Sequence, residues 1–545
     1  MNRVAADVPG RFDRARALRI ACAVLLGVTA CKRTTTPPGL PRVPRMGGEL
    51  RLLEEPNIAS WDPLEAGDIV SQGMVSQVYD ALVEYAPRAP YKPVPALARA
   101  WEVEGTTWTF HVRPAARYAD DACFPHGRGR RVLAADVRYT FERQLRAGRS
   151  RQLPSPMWKL RGARDFLEGR SERLAGLRTP DDSTVVFELT ETSPSFIHLV
   201  ALQVIVPREA VEYYGSDFWQ HPVGAGPFRL ARWTPQESVV LVRNENYWQR
   251  DERGTPLPYL DRIVLYLVPP RALPEAVDLH VVPRWSGSAA GQRFASLGVR
   301  ELEVTRYNVI FLCWNFSRSS PWTRDPLLRH AVSRAIRRRS GVSAVPARGL
   351  LPPGLAGYDS TRSPLGPDPR GAARLLAEAG YPEGAGLPRL RIHCIREETS
   401  MMRYTIAPLE SLGVHCELVP VAKAQYWQLM PQTTLDLFRF GWIAEHPDPE
   451  SLFGLFYSGS PDSFAHYHDA FFDSLFETAT READPKRRAG LYQAMEERLL
   501  EQMPAVFLHH DRNVLHVRED VRGFEHSVNP MWKKRYKYVW LESTS

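Results

Sequence analysis

Beyond its first 31 residues this 545-residue chain has no long uncharged apolar run. Nothing in its body therefore reaches the roughly 20 apolar residues that a membrane-crossing helix needs. Cysteine is scarce, six in all, with no C-x-x-C pair and no zinc-like spacing. No G-x-S-x-G elbow and no H-E-x-x-H occurs. A triad need not be local in sequence, but nothing here asks for an enzyme, and no catalytic residue, cofactor or metal is assigned. No repeat period marks a solenoid. Charge of one sign is not massed either. The formal net charge is +8, but five Arg and two Asp fall in the first 30 residues, leaving 65 basic and 60 acidic residues, a net of +5. The basic residues are scattered, apart from one run (Arg334, Arg337, Arg338, Arg339) at what reads as a helix end. A nucleic-acid partner would call for a concentrated stripe or a recognition motif, and none is expected.

What is present begins at the amino terminus. Arg3, Arg11, Arg14, Arg16 and Arg19 precede an apolar run from Ile20 to Ala30, which leads through small residues into Cys31. This is the anatomy of an export signal over residues 1–30, too short to be a membrane span. Because it ends at cysteine, it resembles a bacterial lipobox. That resemblance implies cleavage before Cys31, acylation of its thiol, and a mature protein tethered to a membrane, in the periplasm or at the cell surface. Residues 31–45 are rich in Thr and Pro and read as a solvated tether.

The remaining length suits two to four domains, and 44% hydrophobic residues describe a globular body with ample core. Cys123, Cys313, Cys394 and Cys416 remain once Cys22 and Cys31 are set aside. Cys394 and Cys416 fall on two candidate strands flanking one helix. A disulfide and a pair of buried thiols both fit that placement.

Short strands alternate with helices from about Gly47 onward. Trp108, Phe110 and Val112 share one face of a strand over 108–113, and residues 184–189 form another. Asp368-Pro369 caps a helix that stops at Gly380, and Asp484-Pro485 opens one with Leu491, Met495 and Leu499 on its apolar face. A third helix is expected from Asp136. The mixture predicts an α/β (mixed α+β) fold.

Several segments, in order, carry a family resemblance: Ser60-Trp61-Asp62-Pro63, Val78 to Leu82, Pro95 to Ala98, Ala134 to Phe141, Pro222-Val223-Gly224-Ala225-Gly226-Pro227-Phe228, Arg243 to Trp248, Leu257 to Asp261, Leu375 to Pro382, and Gly441-Trp442-Ile443-Ala444-Glu445-His446-Pro447-Asp448-Pro449. Together they resemble the bacterial extracellular solute-binding proteins of family five, the peptide/nickel/oligosaccharide type. Trp61 stands where the family usually has Leu, and Ala225 where it has Thr or Ser. Gly224 and Gly226 read as positions of tight turning or close approach, and the run lacks the ending of a phosphate loop. Tyr247-Trp248 reads chiefly as packing aromatic surface.

The resemblance implies a two-lobed periplasmic-binding-protein fold of the large type, its lobes joined by crossing strands and closing on a ligand. Lobe I would take residues 46–80, 205–304 and 513–545, an inserted domain 81–204, and lobe II 305–512. Two stretches depart from the family, Pro269 to Arg300 with Trp285-Ser286-Gly287-Ser288, and residues 340–355, which are abbreviated and rich in Pro and Gly. The resemblance also implies a monomer that binds a small peptide or similar zwitterion for an ATP-binding cassette permease. A signalling or surface lipoprotein that kept the fold without transport is the alternative.

In peptide-binding relatives a Trp-x-x-Asp places an aromatic wall and a carboxylate in the cleft, the carboxylate meeting the ligand's ammonium. The matching positions are Trp442 and Glu445, the charge now on a longer arm. Arg439 matches an Arg that holds ligand carboxylates in some oligopeptide binders, a task its planar fork suits. Local ion pairing of Arg439 and Glu445, and a core role for Trp442, remain open beside these readings. His446 lies near Glu445 and Asp448, but three groups around Pro447 do not converge easily on a metal. His509-His510-Asp511 would point its two rings to opposite faces of a strand and mark the return to lobe I.

The anchor is testable directly. Wild-type protein should take up an alkynyl fatty acid and partition into detergent on phase separation; Cys31→Ser should do neither. Labelling of Cys31→Ser at the wild-type level would refute the lipid attachment.

Overall fold

The computed structural model describes residues 43–54, 58–87, 89–147, 155–267, 279–283, 298–339, 341, 343–430, 435–529, 531 and 534–542. The export signal, Cys31, most of the tether and the Trp285–Ser288 stretch lie outside them. All described secondary structure falls in one compact unit, residues 45–545. None of its described helices is long and apolar enough to cross a membrane.

The frame is a mixed sheet of twelve strands. Its middle is a two-stranded ribbon in which residues 299–314 run antiparallel to the long strand Ala505–Arg518. The ladder extends from Val299 opposite Arg518 to Cys313 opposite Ala505. On its other edge the long strand pairs with Val281–Pro283 through Leu515–Val517 and with Ala344–Pro346 through His509–Asp511. One end of the ribbon continues through Val281–Pro283 into Glu49–Leu53, Arg262–Tyr266, Ser238–Arg243 and Phe228–Thr234. The other continues through Asn308–Trp314 into Leu437–Ile443, Leu390–Ile395 and Cys416–Val421. This is the large bilobed periplasmic-binding-protein architecture, with the ribbon crossing between the lobes.

The sequence explains why these strands are central. All seven residues of Asn308–Trp314 are buried, as expected of a strand covered on both faces. Across the neighbouring strands the side chains alternate between two cores. Phe438, Phe440 and Phe507 enter one, while Leu437, Val506 and Leu312 enter the other. A third and larger core gathers residues from Leu50 to Leu267 with the carboxy-terminal Leu515 to Val539. It also takes in the four-stranded sheet of Ala98–Glu104, Thr107–Val112, Thr184–Glu188 and Leu177–Arg178, where Trp108, Phe110 and Val112 face inward together.

Local expectations are met closely, with small shifts. The Asp368 and Asp484 side chains cap helices Pro369–Glu378 and Pro485–Gln502. The third helix starts at Ala134, two residues early, because Asp136 sits inside its first turn and its carboxylate accepts from the Leu133 amide at 2.8 Å. Cys394 and Cys416 lie on adjacent parallel strands, but the register sets Cys394 beside Pro420 and Cys416 beside Leu390. Four residues of offset is about 13 Å along a strand, beyond disulfide reach, and both thiols are free. His509 and His510 turn to different partners: His510 Nδ1 lies 2.6 Å from the Asn308 carbonyl, and His509 Nε2 lies 3.6 Å from Asp511.

The Pro222–Phe228 segment runs into strand Phe228–Thr234 rather than a helix. Gly226 N–H donates to Val78 O at 2.8 Å, and Gly224 O accepts from Ala119 N–H at 2.9 Å. A Cβ on Gly226 would come within 2.5 Å of the Val78 carbonyl carbon, and one on Gly224 within 2.1 Å of its oxygen. Close backbone approach therefore demands glycine here. Gly226→Ala should lower the unfolding free energy by about 1–3 kcal/mol, as overpacking does. Gly73→Ala, in open space within helix Ile69–Val78, should be neutral or gain roughly 0.5–1 kcal/mol. Urea unfolding of the two variants checks the contrast.

Candidate functional site

The fold gathers several segments from distant parts of the chain around one cavity of about 1110 Å³. Helix Ile69–Val78 supplies Ile69, Gln72 and Val75. The end of strand Leu437–Ile443 and the turn after it supply Gly441 through Glu445, and the carboxy-terminal stretch supplies Arg535, Lys537 and Tyr538.

The carboxy-terminal side is a buried ionic network. Lys537 Nζ lies 2.6 Å from Glu84 Oε2 and also meets Gln249, while Arg535 pairs with Asp80 and reaches Glu84 at 3.5 Å. Trp248 Nε1 donates to Asp80 at 3.0 Å, which fixes the indole of the Tyr247-Trp248 pair as packing surface. Burial alone would raise the Glu84 carboxyl, but Lys537 and Arg535 outweigh it and hold the group below the usual carboxylate range. These cations are already balanced by carboxylates, so they line the cavity without offering it unmatched charge.

The opposite wall carries two of the three residues singled out in the sequence. Trp442 is half-buried and packs against Phe440 at 5.8 Å, on the face that also holds Phe438. Its indole Nε1 is buried without a hydrogen-bond partner among the described residues. Glu445 is exposed to the cavity, its amide donating to Ser451 Oγ at 3.0 Å. Arg439 does not line the cavity. Three residues along a strand from Trp442, it projects from the other face, where its Nη1 lies 3.0 Å from Glu398 Oε1. Local ion pairing describes its contacts in this state, with Glu398 and not Glu445 as partner.

Sequence reasoning missed what holds the Glu445 turn. Asp448, three residues on, is fully buried and accepts from Tyr492 OH at 2.7 Å and from Arg488 at 2.9 Å; Arg488 also reaches Glu450 at 3.4 Å. Burial works against charge on Asp448, and Arg488 with the nearby imidazoles overcomes it, keeping the carboxyl below its ordinary range. Arg488 and Tyr492 sit four apart on the buried face of their helix. That spacing was a readable signal, masked by the apolar Leu491 beside it. His446 is buried and stacks on His198 with ring centroids 5.3 Å apart, and His198 Nδ1 meets Tyr85 OH at 3.1 Å. The turn carrying Glu445 is thus packed against residues from the amino-terminal half. Among the described residues no three His, Cys, Asp or Glu side chains cluster as metal ligands.

A profile of the bacterial extracellular solute-binding proteins, family 5 (middle region), matches residues 92–464, well over half of the chain. The chain belongs to this family. Among curated relatives, the dipeptide-binding protein of Escherichia coli K12 is 24% identical over 495 residues, covering 85% of this chain and 89% of its own length. Heme-binding protein A of Haemophilus influenzae is 26% identical over 482 residues, covering 83% and 85%. In fold, the chain is similar to the Helicobacter pylori periplasmic binding protein DppA solved with the peptide STSA, at a TM-score of 0.71 and 23% identity, over 92% of this chain and 99% of that one. It is equally similar to the unliganded open form of the murein tripeptide binding protein MppA, with a TM-score of 0.71 and 22% identity, over 92% and 98%. The Trp442–Glu445 turn lies inside the matched region of this family 5 protein.

Burial pushes the His198 imidazole down to about 4. Between pH 4 and the unfolded value near 6.5 the unfolded chain then binds more protons than the native one, so stability falls as pH drops through that window. The loss attributable to His198 is on the order of 3 kcal/mol. Asp448 and Arg488 act on the same ring, with His446 stacked on it. Urea midpoints at pH 7 and pH 4.5 should show this loss in wild type and a smaller one in His198→Gln; equal losses would refute it.

Proposed function

We propose that this protein is a lipid-anchored extracytoplasmic binding protein that captures a small peptide or similar zwitterion in the cavity between its lobes and delivers it to an ATP-binding cassette importer. It is a binding protein and not an enzyme, in keeping with the dipeptide- and tripeptide-binding relatives it resembles. The observation that carries the reading is the exposed Glu445 beside Trp442 in the lining of a cavity whose carboxy-terminal cations, Arg535 and Lys537, are already paired with carboxylates. An ammonium brought out of water there costs several kcal/mol unless a counter-charge meets it, and Glu445 supplies that charge. Trp442 supplies an aromatic wall. A closed cleft with few polar anchors would set specificity, and lobe closure would be linked to binding.

The division we propose keeps lobe I at 46–80, 205–304 and 513–545, the inserted domain at 81–204 and lobe II at 305–512. The hydrophobic cores support the bounds of lobe II, apart from Met531, which packs in a core otherwise drawn from residues 307–507; a single core runs through lobe I and the inserted domain. Attachment through Cys31 and a monomeric state complete the reading.

Titration calorimetry with a dipeptide and tripeptide library tests it. Glu445→Ala should weaken binding by about 2–5 kcal/mol, and acetylating the peptide amine should weaken it by a similar amount. An unchanged dissociation constant for Glu445→Ala would remove Glu445 from the site. A library without any binder would remove the peptide.

A further inference from the structure

The basic run that the binding cleft does not use lies at a second cavity, of about 420 Å³, in the region of the second lobe. We propose that this cavity is a separate binding site for a small aliphatic carboxylate, with Arg337 and Arg339 at its mouth and His509 among its buried lining.

The run divides its labour by position. It follows helix Pro326–Ala335. Arg338 turns inward, donating to the Phe507 carbonyl and, at the helix end, to the carbonyl and hydroxyl of Ser333, each at 2.8 Å. It thereby satisfies a carbonyl that the last helical turn leaves open. Arg337 and Arg339, on either side of it, both line the cavity and are exposed. The Arg337 guanidinium lies over the Tyr404 ring, 4.9 Å from its centroid, and donates to the Tyr404 carbonyl at 3.4 Å; Arg339 donates to Ser343 Oγ at 2.8 Å. Neither is salt-bridged to a carboxylate among the described residues. Two permanent cations therefore face one concavity with no counter-charge between them.

His509 is the independent observation. His509 is 3% exposed, it lines the cavity, and its Nδ1 has no hydrogen-bond partner among the described residues. Its Nε2 is turned to Asp511 Oδ1 at 3.6 Å. A buried polar atom without a partner costs about 1–3 kcal/mol, and with Nε2 turned to Asp511 this nitrogen is the one left to a bound ligand.

The rest of the lining sets the class of ligand. Met401, Leu508 and the largely exposed Tyr404 ring give apolar walls. Among the described residues no acidic side chain lines the cavity, so none is there to meet an ammonium, and a zwitterion of the kind proposed for the main cleft is disfavoured. The volume lies at the small end of the roughly 300–1,000 Å³ typical of ligand sites. One anionic head on a short apolar body fits this chemistry, and the two cavities share no residue.

The test is titration calorimetry on the full chain carrying Cys31→Ser, which excludes an attached acyl group, with octanoate, octanol and inorganic phosphate as probes. Octanoate should bind saturably at one site per chain, with octanol and phosphate at least tenfold weaker. The double variant Arg337→Gln/Arg339→Gln and the single variant His509→Gln should each weaken octanoate at least tenfold. The arginine pair is at the surface and should leave the ligand-free unfolding midpoint unchanged, so it carries the test if His509→Gln fails to fold. No saturable octanoate binding, octanol or phosphate binding as well as octanoate, or wild-type affinity in the arginine variant would each overturn the proposal.

Discussion

The antiparallel ladder between residues 299–314 and 505–518 is the interaction on which the rest depends. Both segments pass from one lobe to the other, and their mutual hydrogen bonds make the crossing a ribbon rather than two loose strands. A β-bulge at Ile310/Phe311 interrupts the register, and bulges bend and twist a strand locally. Beside it, Asn308 is held by Asp511 in both directions, accepting from its amide at 2.9 Å and donating to its carboxylate at 2.7 Å. The His509-His510-Asp511 cluster thus serves the crossing. Lobe movement in this architecture must bend the ribbon while keeping these bonds, which is the behaviour of a hinge.

Charge placement then separates scaffold from site. Around the main cavity, Arg535 and Lys537 are matched by Asp80 and Glu84, and Arg488 by Asp448 and Glu450. These pairs are buried, so each would be costly to break and offers little to a ligand. Glu445 lies in the lining as an exposed residue, its amide held by Ser451 on a turn that Asp448 fastens. The second cavity has the opposite character, with two guanidiniums and an imidazole whose Nδ1 has no hydrogen-bond partner among the described residues, set among apolar walls. One chain therefore presents two concavities of contrasting electrostatic character, built on different faces of the same framework.

Much of this was legible in the sequence wherever the determining contacts are local. The Asp368 and Asp484 caps, the alternation of Trp108, Phe110 and Val112, and the start of the folded body near Gly48 each depend on neighbours a few residues away. The glycines of Pro222–Phe228 were legible as positions of close approach, though not the partner, Val78, about 150 residues distant. Trp442 and Glu445 were reachable through family resemblance because their turn is a contiguous motif.

Tertiary structure decided the rest, for a physical reason in each case. Strand register, set by packing across the sheet, separated Cys394 from Cys416. The two-residue period of a strand sent Arg439 to the face opposite Trp442 and into the reach of Glu398. Burial brought His198 to Asp448 and Arg488 from a segment 250 or more residues away, where a charged or polar side chain is stable only if its partner arrives with it. The sequence by itself determined the elements, their order and the composition of the site. Which charges are neutralised and which face a cavity was determined only when the chain closed on itself, because neutralisation depends on distance in space.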